Sequence, residues 1–283
     1  KLAKGYITDE YLKPYAIFKS DMKDTYVDEM EICSEFEEGI EKQEFQVFYQ
    51  PVVDAKTGKI VSAEALVRWF HEQKGFISPG QFIPALEKGG YISELDRYMI
   101  EKVTGCLDQR RAEKKRFVPV SVNLSWMDFY DENMLEWIVR GLKKNNPNEQ
   151  KIRFEITETS LAAIGENHTR MLMHLKENGA EILLDDFGSG YSSFGMLQDY
   201  DFDILKMDIS FVRNIGVNKK SESILRAIID MAHQLEIRLV AEGAETEEQV
   251  AFLRANGCDY IQGYYYYKPM PENEFLQLLD EGK

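Results

Sequence analysis

Apolar and polar residues follow two alternating patterns along most of the chain. One pattern is a short, continuous apolar run, and the other repeats with the period of a helix. A run that is apolar at nearly every position is typical of a strand that is buried on both faces. The apolar runs predict eight strands, which begin at Phe45, Ile60, Val118, Ile152, Glu181, Ile204, Arg238 and Tyr260.

Helical patterns lie between most of these runs. Apolar residues at helical spacing follow Asp131 and Ser221, and Gly257 stands where it would end a third helix. The predicted buried faces contain Met134, Leu135, Ile138 and Leu142 in the first helix and Ile224, Ile228, Met231 and Leu235 in the second. Repeated strand and helix units predict the α/β class and a TIM-like (β/α)8 barrel. An open doubly wound sheet is the alternative, but no glycine-rich dinucleotide motif follows an early strand.

The N-terminal part of the chain does not fit this alternation. Residues 28–42 predict an amphipathic helix, which we expect to pack near the first strand. Its apolar face contains Ile32, Phe36 and Ile40. We expect residues 1–27 to be the tail of a preceding domain or a linker, and residues 28–283 to form one domain. The chain has no initial Met, so we expect it to be a piece of a longer protein.

The composition argues against several classes of function. The chain has 283 residues and a net charge of -15 without a basic stripe, which disfavours a long nucleic acid as partner. No apolar run reaches the length of a membrane span, so we expect no membrane contact by this segment. Its three cysteines are scattered and its four histidines form no zinc motif, which favours reduced thiols in the cytoplasm. A membrane anchor elsewhere in the longer protein is compatible with this.

Almost every predicted strand carries a charged or amide side chain near its carboxyl end. In a barrel these ends surround one mouth, so we expect the side chains to converge there. The residues are Glu64, Arg68, Asn123, Glu155, Glu158, Asp185, Asp186, Lys206, Asp208, Glu242, Glu245 and Gln262. So many anions can meet only if cations neutralise them, and an all-oxygen donor set favours Mg2+ or Mn2+.

Asp185 and Asp186 stand side by side after an apolar run. Like charges this close repel, so the two side chains should splay apart at the end of the strand. One of them would then bridge two metal ions and the other would hold the second ion, in a two-metal site for phosphoryl displacement. Lys206 would supply a fixed positive charge to a phosphate or to the attacking water. The alternative is a structural lysine that pairs with Asp208.

A series of sequence blocks resembles one family. The blocks are YQPVV at 49–53, AEALVRW at 63–69, VNLS at 122–125, FEITET at 154–159, DDFGSGYSS at 185–193, LKMD at 205–208, AEGAET at 241–246 and QGYYYYKPMP at 262–271. With these blocks in this order, the chain is similar, from about residue 44 to its end, to the EAL family of cyclic di-GMP phosphodiesterases. Glu64-Ala65-Leu66 is the block that gives the family its name.

The resemblance implies a barrel with one antiparallel strand that hydrolyses cyclic di-GMP to linear pGpG in bacterial second-messenger signalling. It also implies two metal ions, Mg2+ or Mn2+, in each active site. The implied ligands are Glu64, Asn123, Glu155 and Asp185 for one ion, and Asp185, Asp186 and Glu242 for the other.

The resemblance implies further roles for single residues. The implied catalytic group contains Glu64, Lys206, Glu242 and Gln262, with Lys206 in contact with the nucleophilic water. Substrate binding is implied for Gln50, Arg68 and Asp208, with the Arg68 guanidinium on a substrate phosphate. Glu158 would anchor the loop from Phe187 to Ser193, and the family couples this loop to dimerisation, so we expect a homodimer.

Some features lie outside this main prediction. Ala244 and the four tyrosines after Gly263 depart from the family's usual residues, and they bear on substrate affinity and selectivity. Residues 16–22 are similar to the end of a GGDEF diguanylate cyclase domain. The sequence leaves two other functions open. One is a receptor that binds cyclic di-GMP without cleaving it, and the other is a phosphodiesterase of other small nucleotides.

Overall fold

The computed structural model describes residues 20–144, 152–164, 169–189 and 193–283. Its strands are β1 Phe45–Asp54, β2 Ile60–His71, β3 Gly75–Ile77, β4 Val120–Asn123, β5 Ile152–Thr157, β6 Glu181–Phe187, β7 Ile204–Met207, β8 Arg238–Glu242, β9 Tyr260–Gln262 and β10 Met270–Pro271. Its α-helices are α1 Ser20–Glu41, α2 Pro79–Gly89, α3 Ile92–Ala112, α4 Glu132–Lys144, α5 Glu158–Ile164, α6 Thr169–Glu177, α7 Ser193–Asp199, α8 Ile209–Arg213, α9 Lys219–Gln234, α10 Glu247–Ala255 and α11 Glu272–Asp280. A 3₁₀ helix spans Trp126–Tyr130.

The chain divides into two compact units. The smaller contains Lys1–Gln46 and Val67–Ile92, and the larger contains Val47–Leu66 and Ser93–Lys283. The predicted tail, residues 1–27, lies mostly outside the described residues, although α1 begins within it at Ser20. The domain boundary at residue 28 therefore stays a prediction.

The larger unit contains a closed barrel. Among the described strands, the order around it is β1, β9, β8, β7, β6, β5, β4 and β2, and a pairing of β2 with β1 completes the circle. Seven barrel strands pair in parallel, namely β2, β4, β5, β6, β7, β8 and β9. The eighth strand, β1, is antiparallel to β9. The predicted TIM-like barrel with one antiparallel strand is confirmed.

The interior of the barrel is apolar towards the amino ends of its strands. Val52, Leu183, Ile204 and Val240 form one buried cluster, with Tyr260 packed against it. Layers of branched apolar side chains are the usual filling of such a barrel. The polar residues of the strands therefore lie on the carboxyl-end side of a packed apolar layer, and the candidate chemistry is at that end of the barrel.

The smaller unit is held by aromatic packing. The ring of Phe36 on α1 contacts Phe45, with centroids 5.5 Å apart, and Phe45 stacks on Trp69 at 4.6 Å. The indole of Trp69 donates a hydrogen bond of 2.9 Å to the Glu44 carboxylate. Gly39 allows the close approach of α1, because a Cβ at this position would lie 3.0 Å from the Phe45 ring. The amphipathic helix predicted near the first strand is thus present.

Strand positions were predicted better than strand lengths. All eight predicted strands exist, but β4, β7, β8 and β9 are shorter than the runs that predicted them. The run from Ile204 to Phe211 predicts one strand, which is wrong beyond Met207, because Asp208 accepts a hydrogen bond from Ser210 N at 2.9 Å and begins α8 there. Two short antiparallel strands, β3 and β10, were not predicted.

The buried face of α4 is confirmed, since all four predicted residues are buried. The predicted face of α9 is wrong in part. Ile224 and Leu235 are 51% and 48% exposed. The residues that α9 buries are Leu225, Ile228, Ile229 and Ala232. They follow the spacing of a straight helix that packs one stripe on the sheet, whereas Ile224 and Leu235 flank that stripe.

Two isoleucines on α9 test this face. Replacing the fully buried Ile229 by Ala should lower the free energy of unfolding by about 2–5 kcal/mol, because it leaves a cavity. The matched control is Ile224→Ala, which should cost less than about 0.5 kcal/mol because the side chain is exposed. Urea denaturation of both variants measures the difference. Equal losses would show that α9 is rotated from the position described.

Candidate active site

The centre of the candidate site is the ammonium group of Lys206 on β7. Four carboxylates from four different strands surround it within ion-pair distance. The distances from Lys206 Nζ are 3.2 Å to Glu64, 2.5 Å to Glu155, 3.2 Å to Asp185 and 2.6 Å to Glu242. The side chain of Lys206 is only 2% exposed. The barrel therefore brings together five of the strand-end residues that the sequence predicted to converge, which are Lys206 and these four acids.

Two glutamine side chains complete one side of this group. Gln262 on β9 donates hydrogen bonds to Glu64 Oε2 at 2.6 Å and to Gln50 Oε1 at 3.2 Å. Gln50 on β1 in turn donates to the carbonyl of Tyr267. Asn123 on β4 hydrogen-bonds to the Glu64 carboxylate. Glu64 is thus held by two amides and one ammonium, which fixes its orientation.

Burial sets the protonation of these carboxyl groups. It raises the pKa of Glu155 well above its usual range, and the neighbouring Glu64 raises it further. Burial also raises the pKa of Glu242 to about 8, although Lys206 opposes this. For Glu64 burial is outweighed, since the Lys206 ammonium and the Gln262 amide lower its pKa. One ammonium cannot neutralise four ionised carboxylates, so the site holds protons or takes up a further cation.

The backbone separates Asp185 from Asp186. The pairing of β6 with β7 shifts register between Leu184 and Phe187, and Asp186 has a left-handed φ of 56°. Such an irregularity re-aims side chains near active sites, and aspartate tolerates this conformation. Asp185 faces Lys206, whereas Asp186 is half-buried and has a pKa raised by burial and by the charges of Asp185 and Asp208. The splaying of the two side chains stays a prediction, which the irregular backbone at Asp186 supports.

Glu158 contacts the loop after β6. Its buried carboxylate accepts a hydrogen bond of 3.2 Å from Gly188 N. Gly188 has a φ of 91°, and a Cβ there would lie 2.6 Å from the Phe211 ring, so the position requires glycine. The other predicted loop glycine, Gly190, lies outside the described residues. The role of Glu158 as an anchor stays a prediction.

Two predicted substrate-binding residues have other contacts. Asp208 caps α8 through Ser210 N and is not among the ion-pair partners given above for Lys206. The alternative of a structural Lys206 that pairs with Asp208 thus lacks its ion pair. Lys206 pairs with the four other carboxylates instead. Arg68 lies in the part of β2 that belongs to the smaller unit, where its guanidinium donates to the carbonyl of Val67 at 2.8 Å.

The donor atoms fit a hard divalent cation. Glu64, Asn123, Glu155, Asp185 and Glu242 offer only oxygen ligands. Within the described residues, Glu155 Oε1 is buried without a hydrogen-bond partner, which leaves it available as a ligand. Among all the described residues, no group of three or more acidic, His or Cys side chains is already arranged as a metal site. The carboxylates of the candidate site pair with Lys206 instead. The ligand assignment stays a prediction.

A closed barrel with buried carboxylates and a buried lysine at the carboxyl ends of its strands defines an active site of the TIM-barrel class. A family model for the EAL domain matches residues 34–269. The chain belongs to the EAL domain family, as the sequence blocks predicted. Membership of this family implies the use of a divalent metal.

Curated proteins and solved structures show the same relationship. The chain is 36% identical to an uncharacterized signaling protein of Caulobacter vibrioides over 91% of its own length and 31% of that protein. It is 31% identical to the cyclic di-GMP phosphodiesterase NbdA of Pseudomonas aeruginosa over 86% of its own length and 31% of that protein. The structure of the MucR phosphodiesterase in complex with c-di-GMP is similar, with a TM-score of 0.77, 30% identity, and coverage of 87% of this chain and 99% of that one. The chain spans about a third of the first curated relatives it matches.

Removal of the central ammonium tests the electrostatics of the site. Lys206→Met leaves four buried carboxylates without a cation, so in EDTA the free energy of unfolding should fall by about 3–5 kcal/mol. A divalent ion should then stabilise the variant more than the wild type, because the carboxylates are released. Thermal denaturation with EDTA and with Mn2+ measures both effects.

Lys176→Met is the matched control for this variant. Lys176 pairs with Asp201 and Asp203, whose side chains are 88% and 26% exposed, so solvent screens both pairs and its loss should cost about 1 kcal/mol. It should also leave the response to Mn2+ unchanged. A Lys206→Met protein that is as stable as the wild type in EDTA would show that this ammonium does not hold the carboxylates.

Proposed function

We propose that this domain is a metal-dependent phosphodiesterase that hydrolyses cyclic di-GMP to linear pGpG. The observation that carries the proposal is the convergence of Glu64, Glu155, Asp185 and Glu242 on Lys206 at the barrel mouth. The name of NbdA and the c-di-GMP complex of MucR support the choice of substrate. Because the chain spans only part of these relatives, the proposal concerns this domain.

The carboxylates and Asn123 are proposed to hold two ions of Mg2+ or Mn2+. Glu64, Asn123, Glu155 and Asp185 would bind one ion, and Asp185, Asp186 and Glu242 the other. When bound, the ions supply Lewis-acid stabilisation of the phosphoryl group and a water of lowered pKa. The buried, unpaired Glu155 Oε1 and the irregular backbone at Asp186 support this assignment.

Other residues of the chain position the reactants. The Lys206 ammonium would orient the attacking water and stabilise charge that develops on the phosphate. Gln262 and Gln50 form a hydrogen-bonded pair that keeps Glu64 in place. Asp208 is proposed to bind substrate. Arg68 is proposed to bind a substrate phosphate, so an Arg68→Ala variant should show a higher KM with a smaller change in kcat.

The loop after β6 is proposed to be coupled to the formation of a homodimer. Glu158 would keep the loop in place through Gly188, and a homodimer would stabilise it. We place the domain in the cytoplasm, where a second messenger is available. Within the described residues, no helix is long and apolar enough to cross a membrane.

Binding of cyclic di-GMP without hydrolysis is the second candidate function. The observation that favours it is the position of Lys206 Nζ within 3.2 Å of four carboxylates, since the ammonium then competes with a metal ion. A receptor would need the shape of the mouth but not the metal ligands. Turnover separates the two candidates.

Incubation of the purified protein with cyclic di-GMP tests the proposal. With Mg2+ or Mn2+ we expect pGpG, and with EDTA we expect none. Ca2+ should support little activity, because its longer bonds and larger number of ligands would misplace the water. Chromatography of the products and calorimetric binding of the substrate are the two measurements.

Glu64→Gln is the variant that sharpens this test. It keeps the size of the side chain but removes a metal-binding charge, so kcat should fall by about 100-fold or more while the fold persists. Binding of cyclic di-GMP without pGpG in any metal would favour the receptor, and faster cleavage of another cyclic dinucleotide would contradict the proposed substrate. Turnover by Glu64→Gln at the wild-type rate would remove Glu64 from the metal site.

A further inference from the structure

Two buried aspartates meet behind the turn that follows β4. Asp96 lies on α3 and is 8% exposed, and Asp128 lies on the 3₁₀ helix and is fully buried. Both accept a hydrogen bond from the same backbone group, Ser125 N, at 3.0 Å for Asp96 Oδ2 and 2.9 Å for Asp128 Oδ2. The Ser125 hydroxyl also donates to Asp128 Oδ2, at 3.3 Å. One N–H group therefore connects two carboxyl groups.

Two ionised carboxylates cannot share this buried position. Their repulsion and their desolvation would both be uncompensated, as in other pairs of close carboxyl groups. The two side chains also hydrogen-bond to each other, which requires a proton on one of them. Within the described residues, the buried Asp128 Oδ1 accepts no hydrogen bond from an N–H group or a hydroxyl. A carboxylic acid at Asp96 would supply the missing donor.

Other groups around the pair do not replace this proton. The side chain of Ser93 on α3 hydrogen-bonds to Asp128. Arg97, next to Asp96 on α3, stacks its guanidinium on the Trp137 ring of α4 at 4.9 Å. Glu158 on α5, which packs on the 3₁₀ helix, is a buried acid and adds no positive charge. Burial raises the pKa of Asp96 well above its usual range, and the charge of Asp128 raises it further.

The turn that this pair holds begins at a residue of the active site. Asn123, which hydrogen-bonds to Glu64, is the last residue of β4, and it pairs in register with Glu155 of β5. Leu124 N extends this pairing by donating to Glu155 O at 2.9 Å. Ser125 N is the next backbone donor, and the two aspartates accept its hydrogen bond. The carboxyl pair therefore fixes the direction in which the chain leaves Asn123.

We propose that Asp96 and Asp128 share one proton and act as a positioning pair, which holds the turn that places Asn123 at the barrel mouth. Asp96 is the acid and Asp128 is the carboxylate. The effect on catalysis rests on the function proposed above, whereas the shared proton does not. When the proton is lost, two anions compete for Ser125 N and the turn loosens.

Isosteric variants test the proposal. Asp128→Ala removes one of the two acceptors of the Ser125 N hydrogen bond and the carboxylate that shares the Asp96 proton, so kcat for cyclic di-GMP should fall by about 10-fold to 100-fold with little change in KM. Asp128→Asn should restore activity, because its amide donates to Asp96 while its oxygen accepts from Ser125 N. Asp96→Asn mimics the protonated acid and should retain activity at neutral pH. The matched control is Asp131→Asn, an exposed acid at the other end of the 3₁₀ helix, which should change nothing.

The pH profile separates positioning from a purely structural role. A group with a raised folded-state pKa stabilises the fold at low pH, and this contribution is lost as pH rises through that pKa. The wild type should therefore lose kcat and stability relative to Asp96→Asn as pH rises from the ordinary pKa of an aspartate through the raised folded-state pKa of Asp96. Parallel profiles for the two proteins, or an Asp128→Asn variant as impaired as Asp128→Ala, would overturn the proposal.

Infrared spectroscopy tests the shared proton without an assay of activity. Buried acids at the barrel mouth such as Glu242, whose pKa is raised to about 8, give carbonyl bands of their own, so the measurement is the difference spectrum between the wild type and Asp96→Asn. Below the folded-state pKa of Asp96, this difference should contain the carbonyl band of one further buried, protonated carboxylic acid in the wild type. Absence of this band from the difference spectrum would overturn the shared proton even if the enzyme is active. Its presence in a protein that does not cleave cyclic di-GMP would instead contradict only the proposed function.

Discussion

The candidate site depends on one constraint, which is the balance of charge around a buried lysine. Four carboxylates from four strands lie within 3.2 Å of Lys206 Nζ. Burying any one of them without a cation would cost several kcal/mol, and removing the partner of a buried ion pair typically costs about 3–5 kcal/mol. The Lys206 ammonium makes it possible to bury these four carboxylates together. It neutralises only part of their negative charge, and the remaining charge attracts further cations.

The barrel explains how such a group can form. Each strand contributes one residue, so no single segment has to carry several like charges at close range. The two adjacent aspartates are the exception, and there the strand register shifts and Asp186 has a left-handed backbone. The amides of Gln262 and Asn123 hold Glu64 without adding charge, and Gln50 accepts a second hydrogen bond from Gln262. The same arrangement of strands therefore closes the barrel and distributes the charged side chains around its mouth.

The sequence predicted the barrel and the members of the site because both depend on repeated local patterns. Apolar runs identify strands, and a charged or amide residue at each strand end identifies the mouth. The contacts of Lys206 were less predictable, since the Asp208 pairing depends on whether residue 208 continues a strand or begins a helix. The Asp96 and Asp128 pair was missed altogether. Two acids 32 positions apart give no periodic signal, and only the packing of the 3₁₀ helix against α3 brings them to Ser125 N.

The carboxylates held by Lys206 are also the proposed ligands of the metal. Nitrogen NMR of lysine side chains, with Lys206→Arg to assign the resonance, tests this claim most directly. A titration with Mg2+ in the presence of cyclic di-GMP should shift the Lys206 Nζ resonance and saturate, because the ion takes carboxylate oxygens from the ammonium. A resonance that stays unchanged while Mg2+ binds would contradict the claim and place the metal elsewhere.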